Sequence, residues 1–161
     1  MKKSASTPAI VALQHASVPF TVTEYEVDRA TPDSGWGTQA AQTLGIDPAR
    51  VFKTLVVELD GRQLAVVVVP ADARFRAKSV AAIFGAREAR MAEQKDAERA
   101  TGYVIGGISP FGQRRKLPTA LDASALEFST IFVSGGRRGL EIELAPADLV
   151  AVVGAKVGPL T

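Results

Sequence analysis

The sequence predicts an α+β fold. Two pairs of strand-like segments follow one another along the chain, and each pair flanks a glycine-containing turn, which is typical of antiparallel hairpins. Segments with helix signals stand around these pairs instead of alternating with single strands, as a doubly wound parallel sheet would require. The 161 residues contain no repeat, linker or low-complexity segment. We therefore expect one domain over residues 1–161.

The N-terminal half begins with a clear helix signal. Thr7 and Pro8 are a typical N-cap and first-turn pair. Further along, Asp60-Gly61 separates two strand-like runs and is a strong hairpin signal. The predicted elements are a helix from Pro8 to about Ala16, a strand over 20–27, a loop over 28–37, a short helix over 38–45 ended by Gly45, and a hairpin of 53–59 with 62–69.

The C-terminal half is predicted to contain three helices and a second hairpin. Glycine commonly follows the last residue of a helix, and proline often opens one. The predicted elements are helices over 77–85 and 91–102, a glycine-bearing connector over 103–112, strands over 130–134 and 140–144 around Gly135, Gly136 and Gly139, and a closing helix opened by Pro146 and ended by Gly154.

Composition excludes several classes of protein. A hydrophobic fraction of 47% is against a disordered chain, and a net charge of +2 is too small to indicate a nucleic-acid coat by itself. Without cysteine there is no disulfide or thiolate nucleophile, and a single histidine, His15, excludes a His-rich metal site. His15 is expected on the surface. We find no signal-peptide pattern and no apolar run long enough to span a bilayer, which favours a cytoplasmic enzyme or binding domain.

Lys53 is the unusual residue of the segment VFKTLVVEL, residues 51–59. Side chains alternate between the faces of a strand, so Lys53 shares its face with four aliphatic residues, Val51, Leu55, Val57 and Leu59. One explanation is that its ammonium reaches the rim of the sheet and stays in water. The other is that it lines a pocket, where it binds an anion or stabilises developing negative charge. Thr54 belongs to the opposite face and would share that pocket only at an edge of the sheet.

Two glycine-rich segments are further candidates. In GYVIGGISPFG, residues 102–112, the main chain of Gly106 and Gly107 could form a nest for an oxygen atom, or it could simply form a tight turn. The spacing matches neither a Walker A loop nor a Rossmann fingerprint. The segment VSGGRRGLEIEL, residues 133–144, contains the loop of the second hairpin, whose arginines could meet a phosphate backbone or remain solvated. The basic residues concerned are Arg137 and Arg138, with Arg114, Arg115 and Lys116 in the RRK run.

Taken together, VFKTL, TGYVIGGISPFGQRRKLPT and IFVSGGRRGLEIELAP, in this order, resemble the YbaK family of aminoacyl-tRNA deacylases. These are free-standing relatives of the editing domain of bacterial prolyl-tRNA synthetases. The resemblance covers nearly the whole chain and is nearest to the branch that clears cysteine from tRNA(Pro). It implies a mixed, strongly curved, barrel-like sheet surrounded by helices. It also implies Cys-tRNA and prolyl-tRNA synthetase as partners, and no cofactor, metal or membrane.

The resemblance also implies a mechanism and a set of site residues. The cysteine thiol of the substrate attacks its own ester and expels the tRNA, so the protein supplies no nucleophile. The implied catalytic groups are Lys53, Gly106 and Gly107, and the implied substrate-binding residues are Tyr25, Trp36, Thr54, Ser109, Ser134 and Asp148. Two alternatives remain, namely a deacylase of the same fold for another substrate such as Ala-tRNA(Pro), and a non-catalytic module that binds tRNA or a synthetase.

Overall fold

The structure, a computed structural model, describes residues 6–27 and 36–161; the side chains of Trp36 and Gly37 also lie outside this description. Nearly all of the predicted loop over 28–37 therefore falls outside the described residues. The helices of the described part are α1 (Pro8–Ala16), α2 (Trp36–Leu44), α3 (Ala77–Ile83), α4 (Gln94–Thr101) and α5 (Pro146–Val153). The strands are β1 (Thr21–Glu24), β2 (Phe52–Leu59), β3 (Gln63–Pro70), β4 (Ala89–Met91), β5 (Thr119–Asp122), β6 (Ile131–Ser134), β7 (Leu140–Leu144) and β8 (Lys156–Gly158).

The α+β class and both hairpins are confirmed. β2 pairs with β3, and β6 with β7, in antiparallel register on either side of the predicted turns. The strands form two sheets, one in the order β1-β7-β6 and one in the order β4-β2-β3-β5-β8. Within the described residues both sheets keep free edge strands, so they do not close into a barrel, and this part of the expected fold is not confirmed.

Three short strands were not predicted from the sequence. β5 pairs in parallel with β3 and with β8, so the larger sheet is mixed. β4 ends at Met91, the first residue of the segment predicted as a third helix, and α4 begins only at Gln94. β8 follows the predicted closing helix and ends the larger sheet. Each of these strands has three or four residues and depends on distant partners, which local sequence patterns do not reveal.

The larger sheet is buried on both faces. Along β3, Val66 and Val68 belong to one hydrophobic cluster, while Val67 and Val69 belong to another on the opposite face. All four side chains are fully buried. This arrangement explains the continuous apolar run of this strand, because a strand covered on both faces needs no alternation with polar residues.

The two sheets meet beside the start of β2. Val51, immediately before the strand, forms an isolated parallel bridge with Phe132 of β6. On the same edge, opposite β3, β2 pairs with β4 only from Val57 to Leu59. The first half of β2 therefore has an unpaired edge, and a cleft opens along it.

Candidate active site

The cleft beside the start of β2, called here the main cleft, has a volume of about 500 Å³. Both sheets and the connector after α4 contribute to its walls. Its lining residues include Tyr25, Phe52, Lys53, Thr54, Leu55, Val56, Arg74, Phe75, Met91, Ile105, Gly106, Ser134 and Glu141. Most of these side chains are apolar, and a few polar groups point into the space, as in typical small-molecule sites.

Lys53 lies half-buried in the wall of the main cleft. Burial lowers the pKa of its ammonium below the usual value, while Asp72 raises and Arg74 lowers that pKa through their charges. Lys53 forms no hydrogen bond or ion pair with another described residue. A partly desolvated cation without a partner is suited to binding an anion or a polarised carbonyl oxygen.

The unpaired edge of β2 explains why neighbouring residues from both faces of the strand line one cleft. Lys53 and Thr54 belong to opposite faces, yet both border the main cleft. The hydroxyl oxygen of Thr54 is buried and has no hydrogen-bond partner within the described part of the chain. Because a buried hydroxyl without a partner is costly, this group is placed to bind a ligand atom.

The two neighbouring glycines have different environments. Gly106 lines the cleft with φ +89°, a left-handed conformation, and its N–H donates to no other described residue. The Gly107 N–H instead donates to the Val104 carbonyl at 2.9 Å. A Cβ at Gly107 would lie 2.7 Å from the Arg137 Cα. Gly107 thus allows two loops to pack closely, and only Gly106 keeps an amide for a ligand; the expected pair of free amides is corrected to one.

Tyr25, immediately after β1, and Ser134, at the end of β6, line the cleft on the side of the smaller sheet. The Ser134 hydroxyl accepts a hydrogen bond from the Gly136 N–H at 3.2 Å. Burial and the nearby Glu141 raise the pKa of the Tyr25 hydroxyl to about 12. The phenol therefore stays protonated and can donate a hydrogen bond.

Glu141 is a functional candidate that the sequence analysis missed. It lies directly opposite Ser134 in the β6–β7 ladder and lines the main cleft with only 7% of its surface exposed. Burial raises the pKa of this carboxyl to about 8. The carboxyl forms no hydrogen bond or ion pair with another described residue. Its register opposite Ser134 is the signal that could have revealed it, once β6 and β7 were recognised as a hairpin.

Two expected substrate contacts do not line the cleft, and the side chain of a third lies outside the described residues. Ser109 is fully buried, and its hydroxyl accepts from the Phe111 N–H at 3.3 Å, so it shapes the connector. Asp148 lies in the first turn of α5, away from the cleft lining. Trp36 is the first residue of α2, and its side chain is outside the described residues. Ser109 and Asp148 are therefore not among the residues that line the candidate site, whereas Glu141 is.

The five predicted tRNA-contacting residues lie on two neighbouring loops outside the cleft lining. Arg114, Arg115 and Lys116 are exposed, as is Arg138, while Arg137 is half-buried and pairs with Glu24 at 3.4 Å. The contact between Gly107 and the Arg137 main chain brings the two loops together beside Gly106. If the end of a polyanion binds in the cleft, these side chains could thus contact the part that lies outside it. His15 is exposed, as expected.

The described residues offer no cluster of carboxylate and imidazole groups that could hold a metal ion. None of the described helices has the length and apolarity needed to cross a membrane. The polar groups that line the cleft without a partner among the described residues include the Lys53 ammonium, the Gly106 amide, the Thr54 hydroxyl and the Glu141 carboxyl. They can orient a small polar group and stabilise charge.

Comparison with known proteins shows which families and structures this chain is similar to. A family model described as "Aminoacyl-tRNA editing domain" matches residues 35–152, more than half of the chain. An Enterococcus faecalis protein named "Putative Cys-tRNA(Pro)/Cys-tRNA(Cys) deacylase EbsC" is 34% identical over 160 residues, covering 99% of this chain and 96% of that protein.

Two further matches involve proline-specific systems. A crystal structure described as "a putative trans-editing enzyme for prolyl tRNA synthetase" superposes with a TM-score of 0.83 at 25% identity, covering 98% of this chain and 99% of the other. A proline–tRNA ligase of Limosilactobacillus fermentum is 27% identical over 120 residues, which cover 68% of this chain and 21% of the ligase.

Proposed function

The chain belongs to the family of aminoacyl-tRNA editing domains, and we propose that within this family it is a trans-editing deacylase that removes cysteine from Cys-tRNA(Pro). Cys-tRNA(Cys) is the alternative tRNA for the same ester. The 34% identical Enterococcus faecalis relative, named for these two substrates, supports the choice of cysteine.

One observation carries this proposal: an unpaired ammonium and an unpaired carboxyl face the same cleft from different sheets. Lys53 comes from the larger sheet and Glu141 from the smaller one. An aminoacyl ester presents a positive α-ammonium on one side of its carbonyl and the ribose and phosphate on the other. In the proposed complex the α-ammonium favours ionisation of the Glu141 carboxyl and pairs with it, and Lys53 with the Gly106 N–H binds the carbonyl oxygen.

The proposed chemical step needs no nucleophile from the protein. The substrate's thiol sulfur attacks the ester carbonyl, a sulfur–carbon bond forms, and the carbon–oxygen bond to the ribose breaks. The thiol proton ends on the released ribose hydroxyl, and the cysteine leaves as a four-membered thiolactone that water then opens. Lys53 and Gly106 stabilise the oxyanion of the intermediate, and the narrow cleft holds sulfur and carbonyl close together.

A free-standing editing enzyme for this ester has a physical reason to exist. Cysteine and proline are similar in size, and an apolar pocket separates near-isosteres by only about 1–3 kcal/mol per methylene. A synthetase that binds proline therefore also charges some cysteine. A second site that requires a thiol for its reaction removes the error without competing for proline.

The partner is proposed to be an aminoacyl-tRNA, delivered by prolyl-tRNA synthetase. The exposed loops with Arg114, Arg115, Lys116, Arg137 and Arg138 are the surfaces proposed to contact its phosphates. A net charge of +2 is small for an independent tRNA-binding protein, which favours help from the synthetase. Co-purification of the chain with synthetase and tRNA at low salt tests this; no ternary complex would contradict it.

The decisive experiment compares the deacylation of three esters of the same tRNA(Pro), carrying cysteine, serine or alanine. We expect rapid loss of the cysteinyl ester alone, because serine offers a weaker oxygen nucleophile and alanine offers none. Rapid cleavage of alanyl-tRNA would instead favour the alternative deacylase. Binding without cleavage of any ester would favour a non-catalytic module.

A further inference from the structure

Arg74 is a charged residue of the main cleft to which the proposed function gives no role. It lies in the segment 71–76 between β3 and α3, of which Ala71, Arg74 and Phe75 line the cleft. The Arg74 side chain is exposed and forms no hydrogen bond or ion pair with another described residue. Phe75 beside it is half-buried against the hydrophobic cluster on that face of the sheet.

Arg74 lies near Lys53, so the cleft concentrates positive charge at this wall. Among the charges near the Lys53 ammonium, that of Asp72 acts most strongly and that of Arg74 acts next, in the opposite direction, but Asp72 is exposed and does not line the cleft. Asp72 does not form an ion pair with either cation. Two neighbouring cations repel each other, and a bound anion would relieve that repulsion.

The chemistry of the proposed substrate indicates which anion this is. With the ester carbonyl held by Lys53, the nearest negative group is the 5′-phosphate of the terminal nucleotide, one ribose away. Guanidinium groups bind phosphate oxygens in a bidentate manner. The basic residues on the outer loops do not line the cleft, so Arg74 is the arginine of the described cleft wall that can take this phosphate.

We infer, on the premise of the proposed function, that Arg74 is a substrate-binding residue that anchors the 5′-phosphate of the terminal adenosine while Lys53 holds the ester. Phe75 and the half-exposed side chain of Met91 provide apolar surface beside it for the ribose and base. A ligand can then bind Lys53 and Arg74 at the same time only if its ester and its phosphate are separated as in a terminal nucleotide. Esters of a terminal nucleotide fit, and free amino acid esters gain no phosphate contact.

The test measures equilibrium binding of two non-hydrolysable ligands by calorimetry. Both are 3′-cysteinylamido-3′-deoxyadenosine, one with and one without a 5′-phosphate. We expect the phosphate to strengthen binding to the wild type about tenfold, as a charge-assisted contact would. Arg74→Ala should lose this gain while binding the ligand without phosphate as before. Arg76→Ala is the matched control, because Arg76 is exposed in the same segment but does not line the cleft.

The outcomes separate the two proposals. A phosphate gain that persists in Arg74→Ala, or that disappears equally in Arg76→Ala, overturns the role of Arg74, as does the absence of any gain in the wild type. If the wild type also deacylates Cys-tRNA(Pro), only this inference has failed. A gain that depends on Arg74 in a protein that cleaves no ester supports the phosphate site and removes the proposed deacylase.

Discussion

Two clefts of similar size lie at opposite ends of β2, and they differ in whether their buried charged side chains have hydrogen-bond or ion-pair partners. The main cleft holds Lys53 and Glu141, which are partly or fully removed from water and have no partner among the described residues. The second cleft, of about 430 Å³, is lined by Glu58, Asp60, Gly61, Ala77, Lys78, Arg87, Glu88, Ala89 and Arg90. Its charged side chains are either exposed or paired.

The pairs of the second cleft are structural. Glu58 accepts a hydrogen bond from the Arg90 Nε at 2.9 Å. One carboxylate oxygen of Asp60 accepts from the N–H groups of Arg87 and Glu88, each at 2.9 Å, and so fixes the entry to β4. Polar groups that satisfy one another hold a fold in place, whereas buried polar groups left without partners indicate where a ligand supplies them.

Removing one lysine from each cleft should give the largest difference between the two clefts. We expect Lys53→Ala to lower the rate of Cys-tRNA(Pro) deacylation about 10²–10³-fold, the usual effect of losing an oxyanion-stabilising group. The melting temperature should change little, because the lost ammonium was partly desolvated and unpaired. Lys78→Ala, at an exposed position of the second cleft, should leave both quantities unchanged. A collapse of the melting transition in Lys53→Ala would make Lys53 a structural residue.

Replacing a carboxyl in each cleft should shift stability in opposite directions. Glu141 has its pKa raised from 4.5 to about 8 by burial, so it is protonated in the folded protein at neutral pH and ionised in the unfolded chain. Its contribution to stability is complete below pH 4.5 and is lost as the pH rises toward 8, at roughly 1.4 kcal/mol per unit. Glu141→Gln removes the ionisable carboxyl, so the stability of this variant should not fall in this way as the pH rises.

Denaturation curves at several pH values check this prediction. The stability of Glu141→Gln should match that of the wild type near pH 4.5 and exceed it by a few kcal/mol at pH 8. Glu58→Gln should instead lower stability slightly at neutral pH, because it weakens the pair with Arg90, which is itself largely exposed. A constant difference between Glu141→Gln and the wild type across this range would show that Glu141 is not held protonated.

The smallest effect is expected at the turn of the second cleft. Asp60→Ala loses two accepted hydrogen bonds and places alanine at φ +53°, so we expect a loss of about 1–2 kcal/mol in chemical denaturation. Asp60→Asn keeps an acceptor oxygen and tolerates the left-handed backbone, so it should lose less. Deacylation should be unchanged in both variants. A marked loss of activity would mean that the two clefts are coupled.

The parts of the fold predicted correctly from the sequence are those encoded by neighbouring residues. The Asp60-Gly61 turn flanked by strand formers predicts the β2–β3 hairpin, and Thr7 caps α1 by accepting from the Ile10 N–H at 3.2 Å. β4, β5 and β8 were missed because they are short and pair with segments far away in the chain. Because parallel strands are not joined by a tight turn, no local turn motif indicates the pairing of β3 with β5.

The candidate site likewise contains residues that the sequence indicated and one that it did not. Lys53 stood out because an ammonium broke an apolar pattern, and the structure places it in a cleft with Tyr25, Thr54, Gly106 and Ser134. Glu141 was missed because its alternation with Leu140 and Ile142 in β7 is typical of a side chain that faces solvent. Its neighbours β1 and β6 and the wall from the larger sheet instead enclose that position.

The sequence by itself determined the α+β class, the two hairpins, the C-terminal ends of α4 and α5 at Gly102 and Gly154, and the residue types available for chemistry. These depend on backbone preferences and on side-chain alternation within a few residues. Only the tertiary structure decided which charges are left without partners, which glycine keeps a free amide and which carboxyl faces the ligand space. Burial and pairing arise where distant segments meet, because the free energy of a charge depends on what surrounds it.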